Sequence, residues 1–323
     1  MNDDERAMRR AIELAASVRT TTSPNPWVGS VVVPGGYEGA TSPPGGAHAE
    51  AHALQVAGDA ARGATLYATL EPCGHTGRTK PCVDQIIDAG VRRVVVGVED
   101  PDERVRGSGI RALRAAGVRV DVGICAEEIR DQLAPYLKHR TTGRPWVILK
   151  LAATLDGRTA APDGSSRWIT GEAARADAHR LRAESDAVIV GAGTVRSDDP
   201  ALTVRDVPGK DPLRVVLGKA PGDARVRPAL ELTGDPGDVL DDLGRRGVLQ
   251  ALVEGGATVA GEFHRAGVVD RYVLYLAPAF LGGDDGRPLF VGAGAPTIDD
   301  VWRGRIVSVE RLGEDVKVEC SPA

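Results

Sequence analysis

The chain lacks any excess of positive charge: 40 Lys and Arg stand against 45 Asp and Glu, for a net charge of −5 and a pI near 5.8. Proteins that edit nucleic acid normally carry a basic footprint, so this balance points to a small-molecule partner and away from nucleic acid. Long apolar runs are missing too; there is no stretch of about 18 apolar residues, which a membrane helix would need. Nor does the N-terminus, Met1-Asn2-Asp3-Asp4-Glu5, offer the basic region of a secretory signal. A soluble, unprocessed chain with no membrane partner is therefore expected. Cysteine is sparse, at four in 323 residues, which argues against a disulfide framework and suits a reducing cytoplasm. Cys125 and Cys320 are expected to be packing residues or free thiols. What is present is enough apolar content, 42%, to build two domains, each with its own core.

The other two cysteines fall in a run that carries chemistry. It reads His48-Ala49-Glu50, then Leu70-Glu71-Pro72-Cys73, then eight residues from Gly74 to Pro81, then Cys82. One imidazole and two thiolates suffice as protein ligands for a catalytic zinc whose fourth position stays open. Glu50 can stand beside that position without ligating the metal, which is how zinc deaminases place the carboxylate that shuttles protons. His-x-Glu or Pro-Cys alone is common; their conjunction is far less so. Two plainer readings compete. In one, both cysteines are small buried hydrophobes and His48 is a polar helix start. In the other, His48 and His52 hold zinc as in His-Glu-x-x-His proteases, but Glu50 falls at the wrong offset, so His52 is expected to be structural. The general deaminase signature has two residues between its cysteines, whereas eight separate Cys73 from Cys82.

That long segment, Cys73-Gly74-His75-Thr76-Gly77-Arg78-Thr79-Lys80-Pro81-Cys82, resembles the riboflavin-pathway deaminases of the RibD family, within the cytidine-deaminase-like superfamily. Pro24-Asn25-Pro26-Trp27-Val28-Gly29 upstream fits the same family. The resemblance implies that Asn25 binds the pyrimidine and that Arg78 lies near the substrate phosphate. A solvated loop cation is the plainer reading of Arg78.

Along the first half, Glu5 to Val18 has a one-sided helical pattern and Ser30 to Val33 is a short β-rich run. Pro34 to Gly46, rich in Gly and Pro, predicts a trimmed or irregular loop where the family has a hairpin. A helix is expected from His48 to about Gly58, a strand over Thr65 to Leu70, and a helix from Cys82 stopped at Gly90. Val91 to Val98 reads as a buried strand, since five of its eight residues are Val. A polar loop from Asp100 to Gly109, a helix over Ile110 to Ala116 and a strand over Val118 to Gly123 complete an alternating series, which predicts a sheet covered by helices. Leu133 to Arg140 looks helical, and Thr141-Thr142-Gly143-Arg144-Pro145 breaks the pattern. The domain boundary is placed there, giving 1–144 and 145–323.

In the second half, strands are expected over Trp146 to Ala152, Ala187 to Gly191 and Val248 to Val253, and a helix from about Glu172 to Glu184. Thr194 to Thr203 reads as a polar turn. Gly191-Ala192-Gly193 lacks the third glycine of a dinucleotide fingerprint. Glu254-Gly255-Gly256-Ala257-Thr258, between a strand and a helix over Val259 to Arg265, is a better candidate, because glycine amides and a helix N-terminus suit a pyrophosphate. A tight turn with no ligand is the plainer reading. The elements of Lys210 to Leu243, a stretch that looks shorter than usual in the family, are not placed. Asp270 to Leu281 and Arg305 to Cys320 are β-rich and suit closing strands and a subunit interface.

Lys150 to Gly157, Ser166 to Thr170, Thr194 to Leu202 and Val253 to Gly256 are similar to the reductase half of the RibD family, a dihydrofolate-reductase-like fold. The implied architecture is α/β, with an N-terminal cytidine-deaminase-like domain followed by that fold. The resemblance implies that Ala152, Trp168, Thr194, Asp198 and the segment opening at Gly256 contact NADPH. It implies that Ser166, Arg182, Leu202, Arg205 and Glu254 contact a phosphorylated sugar substrate, with Lys150 near the reacting carbon. Arg182 and Arg205 suit phosphate because guanidinium forks match its oxygens. A bifunctional riboflavin-biosynthesis enzyme, a homo-oligomer through the reductase domain, is thus expected, with zinc and NADPH as cofactors. The rivals are a nucleobase or tRNA deaminase with an appended domain and a regulatory protein that binds without turnover.

Overall fold

Asn2 opens the first helix, α1 (Asp3–Ser17), with a capping box: its side chain accepts from the Glu5 amide at 2.8 Å, and the Glu5 carboxylate accepts from the Asn2 amide at 3.1 Å. In the computed structural model, which describes residues 2–74, 80–103 and 105–323, the chain divides into two units, Met1–Gly143 and Arg144–Ala323. Among the described residues no helix is long and apolar enough to cross a membrane.

In the first unit, the one-turn helix α2 (Arg19–Thr22) leads to β1 (Gly29–Val33) and β2 (Tyr37–Ala40). The loop expected over Pro34 to Gly46 therefore holds a hairpin partner, with Val32 opposite Tyr37 and Gly29 opposite Ala40. Gly35 and Gly36, at φ 110° and 65°, supply the left-handed turn residues that close it. Next come α3 (Ala49–Ala57), β3 (Thr65–Leu70), α4 (Cys82–Asp88), β4 (Arg93–Val98), α5 (Ser108–Ala115) and β5 (Arg119–Val122). The sheet runs β2-β1-β3-β4-β5, with β1 antiparallel to both neighbours and β3, β4 and β5 parallel. Leu66, Val94, Val96, Ile86 and Leu113 are fully buried in its core. Two helices, α6 (Ala126–Gln132) and α7 (Ala134–Thr142), end the unit. The expected helix from Leu133 corresponds to α7. The additional α6 buries Ile129 alone, so it shows no periodicity to read.

The second unit is built on β6 (Trp146–Thr154), followed by β7 (Arg158–Ala160), α8 (Glu172–Ala183), β8 (Ala187–Gly191) and α9 (Ala192–Asp198). The polar turn expected from Thr194 is thus a helix through Asp198. Only Ala192 and Val195 of α9 are buried, so its apolar face is too short to register as helical in the sequence. The unplaced stretch from Lys210 holds β9 (Leu213–Leu217), β10 (Leu230–Leu232) and α10 (Pro236–Arg245). The chain closes with β11 (Gln250–Val253), α11 (Ala257–Arg265), β12 (Arg271–Ala277), β13 (Arg287–Pro288), β14 (Gly304–Leu312) and β15 (Asp315–Pro322). The large sheet runs β10-β9-β8-β11-β6-β12-β15-β14, parallel through β12 and antiparallel beyond, while β13 pairs with β7. Leu149, Ile189, Leu240, Leu243 and Phe263 are fully buried between this sheet and its helices.

Candidate active sites in the two units

His48 is the extended residue that precedes α3, Cys73 lies three residues beyond β3, and Cys82 opens α4. The fold therefore brings two helix starts and a strand end to one point. His48 Nδ1 lies 3.6 Å from Cys73 Sγ and 3.3 Å from Cys82 Sγ, and all three ligand atoms fall within 4.8 Å of one another. A tetrahedral zinc at its usual bond lengths sets N···S separations of roughly 3.5 Å, so these residues fit the metal. Among the described residues this is the one cluster of its kind.

Protonation without metal follows from the contacts. Its hydrogen bond with Cys82, together with His48, draws the Cys73 thiol down to about 4. The same thiol–thiol bond, with burial, pushes Cys82 up, and contact with Cys73 raises His48 to about 9. Metal binding must displace the protons that this cluster holds. Glu50, in the first turn of α3, is only 4% exposed; burial raises its carboxyl to about 7, with the His48 charge opposing. A carboxyl poised near neutrality is suited to carrying a proton. His52 points elsewhere: its Nδ1 lies 3.0 Å from the Ala40 carbonyl and its Nε2 3.4 Å from Ser42 Oγ, so it ties α3 to β2. The His48–His52 metal pair is thereby set aside.

Asn25 lies in the loop ahead of β1, its amide bonded to the Thr22 carbonyl at 2.9 Å. Because β1 runs antiparallel to β3, the start of β1 stands at the end of β3 that leads to Cys73, and Gly29 N donates to Thr69 Oγ1 at 3.2 Å. Topology thus puts Asn25 at the same sheet end as the thiol. Arg78 lies outside the described residues.

In the second unit, a cavity of about 560 Å³ opens at the carboxyl ends of parallel β8 and β11 and beside β6, where open α/β sheets place ligands. All the second-half residues singled out from the sequence line it: Lys150, Ala152, Ser166, Trp168, Arg182 and Thr194, with Asp198, Leu202, Arg205, Glu254 and Gly256. Glu254 is the charged centre. Arg182 pairs with it through Nε at 2.5 Å and Nη2 at 2.8 Å, and Lys150 Nζ lies 3.7 Å away. Burial pushes the Glu254 carboxyl up, but the Arg182 and Lys150 cations outweigh that and hold it at about 2.

Gly255, at φ 96°, takes a backbone conformation that favours glycine, and Gly256 N donates to Thr194 Oγ1 at 2.8 Å. The next residue begins α11, so a helix N-terminus beside two glycines lines the cavity, a setting that fits a pyrophosphate-bearing cofactor. Leu202 is buried with φ at 53°, a conformation that non-glycine residues rarely adopt. Trp168 is 69% exposed, and the Arg175 guanidinium sits 4.7 Å from its ring centroid.

Three participants had no role assigned from the sequence. Buried Glu71, beside the zinc-ligand run, accepts from the amides of Gly107 and Gly109 at 2.9 Å, Ile110 at 3.1 Å and Asp100 at 3.2 Å. It braces the loop before α5 against the ligand strand so closely that a Cβ on Gly109 would stand 2.0 Å from the Pro72 carbonyl oxygen. The Glu-Pro-Cys run was a usable signal for it. His179, whose pKa is lowered by burial and by the nearby Arg182 and Arg205 charges, accepts from the Arg205 amide at 3.1 Å. Arg175 backs Trp168; neither it nor His179 has a local sequence signal.

Comparison with known proteins covers both units. A family model described as the cytidine and deoxycytidylate deaminase zinc-binding region matches residues 1–98, and one described as the RibD C-terminal domain matches residues 145–318. The riboflavin biosynthesis protein RibD of Mycobacterium tuberculosis is 44% identical over 97% of this chain and 95% of its own. That of Escherichia coli is 37% identical over 97% and 98%. Among solved structures, Acinetobacter baumannii RibD aligns with a TM-score of 0.93 at 37% identity, covering 99% of both chains. A Thermotoga maritima diaminohydroxyphosphoribosylaminopyrimidine deaminase/5-amino-6-(5-phosphoribosylamino)uracil reductase aligns at 0.88 and 34% identity, also over 99% of both.

Proposed function

The chain belongs to the RibD family of bifunctional riboflavin-biosynthesis enzymes, a zinc-dependent deaminase joined to an NADPH-dependent reductase, and from that premise we propose which residues carry each reaction. The enzyme hydrolytically deaminates 2,5-diamino-6-ribosylamino-4(3H)-pyrimidinone 5′-phosphate and reduces the ribosyl group to ribityl. Residues 1–144 are assigned the first reaction and 145–323 the second. A nucleobase or tRNA deaminase with an appended nucleotide-binding domain is not favoured, because the RibD matches run almost the full chain.

In the first site, His48, Cys73 and Cys82 are assigned to zinc, which when bound supplies a Lewis acid and an activated water. Glu50 takes a proton onto its carboxylate and returns it to the departing amine, which leaves as ammonia. Asn25 holds the pyrimidine, and Arg78 the phosphate. The meeting of His48, Cys73 and Cys82 around the first turn of α3, with buried Glu50 in that turn, carries this reading. Replacing Glu50 with Gln should leave zinc bound by metal analysis and lower ammonia release by about 10²–10⁴-fold. Undiminished release in that variant would sink the assignment.

In the second site, Ala152, Trp168, Thr194, Asp198 and the segment from Gly256 are assigned to NADPH, which when bound supplies a hydride. Arg205, Arg182, Ser166 and Leu202 orient the phosphorylated sugar, and Glu254 fixes Arg182. Lys150 stands at the reacting carbon. NADPH consumption by the purified protein, given the deaminated intermediate, tests this half.

A homo-oligomer through the reductase unit is the further expectation. Its support is β14, the outermost strand of the large sheet, which leaves Ile306 66% and Val309 62% exposed. Sedimentation of the wild type against Ile306→Lys checks it. The cysteines are all free, which supports a reducing, cytoplasmic setting.

A further inference from the structure

We propose that Arg225 reads the 2′-phosphate of NADPH and so sets the preference for NADPH over NADH, an assignment that rests on the cofactor lying in the second-unit cavity. Six arginines line that cavity. Three are occupied: Arg182 by Glu254, Arg175 by the Thr170 carbonyl and the Trp168 ring, and Arg167 by the Asp198 carbonyl. The guanidinium groups of Arg205, Arg225 and Arg287 have no partner among the described residues. Such free forks match phosphate oxygens, and the two ligands bring two phosphates beyond the pyrophosphate.

The fold separates the three. Arg205 is bonded through its amide to His179, one helical turn from Arg182, so it stands on the Glu254–Lys150 side where the sugar is reduced. Arg287 lies on β13, which pairs with β7 in a separate two-stranded sheet and has no hydrogen bond to the Gly256–α9 path. Arg225 lies the other way. From the amides at Gly256 a hydrogen bond leads to Thr194 on α9, and α9 ends at Asp199, whose Oδ1 accepts from the Arg225 amide at 2.8 Å. In the sheet order β9-β8-β11-β6, this path runs from β11 outward past β8, away from Lys150.

A dinucleotide whose nicotinamide end is at β6 and whose pyrophosphate is at Gly256 must put its adenosine on the Arg225 side. An acidic residue near that ribose would suit an unphosphorylated 2′-hydroxyl, whereas an arginine accommodates a 2′-phosphate. Here Asp199 already accepts from Arg225 and anchors that residue in place.

The test is equilibrium binding of NADPH, NADH and 2′,5′-ADP to the full chain. In Arg225→Ala, NADPH and 2′,5′-ADP should weaken on the order of ten- to a hundredfold, the worth of a charge-assisted pair, while NADH binds as in wild type. Arg225→Lys should restore part of the difference. Should Arg225→Ala lose all binding, Arg225→Gln carries the same comparison. No weakening, or equal weakening of NADPH and NADH in both the Ala and Gln variants, overturns the role of Arg225. Trp168 fluorescence distinguishes the premise: if Trp168→Phe leaves the NADPH-induced quench unchanged, the cofactor placement fails rather than Arg225.

Discussion

Both sites bury a glutamate, and the two carboxyls titrate in opposite directions. Glu50 stands among a histidine and two thiols, and burial lifts it to about 7. Glu254 is equally enclosed, yet Arg182 and Lys150 beside it hold it at about 2. Partners, not depth, decide the sign. In the metal-free protein the first carboxyl can gain and lose a proton near neutrality. The second stays charged and fixes the Arg182 cation at the cavity wall. The sites also differ in how they are assembled. The zinc ligands fall within one α-β-α stretch, His48 to Cys82, whereas the reductase cavity collects residues from Lys150 to Arg287 across several crossovers.

If the sites are as separate as this contrast implies, disabling one should spare the other. Cys82→Ala removes a zinc ligand and should abolish ammonia release and zinc retention, the largest effect expected here. NADPH affinity should be unchanged, since the second unit has its own sheet and core. Parallel metal analysis and NADPH titration of one preparation check both halves, and a fall in NADPH affinity breaks the separation.

The two glutamates give the next comparison. Glu254→Gln strands the Arg182 cation in a buried site and should destabilise the second unit by about 3–5 kcal/mol, as breaking a buried pair does. Because the folded carboxyl sits near 2, below its ordinary 4.5, its contribution is present above pH 4.5 and is lost as pH falls toward 2. Glu50 has the opposite sign in the metal-free protein. Its folded carboxyl is raised to about 7, so the wild type loses stability relative to Glu50→Gln as pH rises from 4.5 to 7, by about 3 kcal/mol at most. Denaturant melts of both variants across these windows decide it; parallel pH trends would overturn the contrast.

The same difference in assembly explains what was legible in the sequence. The zinc ligands and Glu50 could be read from spacing, because a helix start and a strand end are short-range features. Strands with dense valine, such as β4, were equally plain. The hairpin at Tyr37 was not, since glycine and proline signal a turn without saying whether the chain returns to pair. Helix α9 buries just Ala192 and Val195, which is too little periodicity to separate it from a polar turn. Apart from the glycine turn at Gly255 and Gly256, which its strand-to-helix pattern marks, the reductase residues follow from resemblance alone; their convergence depends on strand order, which no local pattern carries. Arg225 shows the same limit, because its partner Asp199 lies 26 residues away.

The smallest effect tests how finely the second site is tuned. Thr194→Val removes a hydroxyl that accepts from Gly256 N and is itself assigned to the cofactor. Losing one neutral hydrogen bond costs about 1 kcal/mol, so NADPH affinity should fall by roughly fivefold, with ammonia release untouched. A much larger loss would mean that Thr194 holds the glycine turn itself in shape. Amide hydrogen exchange at Gly255 and Gly256 separates the two cases: protection that collapses in Thr194→Val marks a brace for the backbone, while protection that persists marks a direct contact with the cofactor.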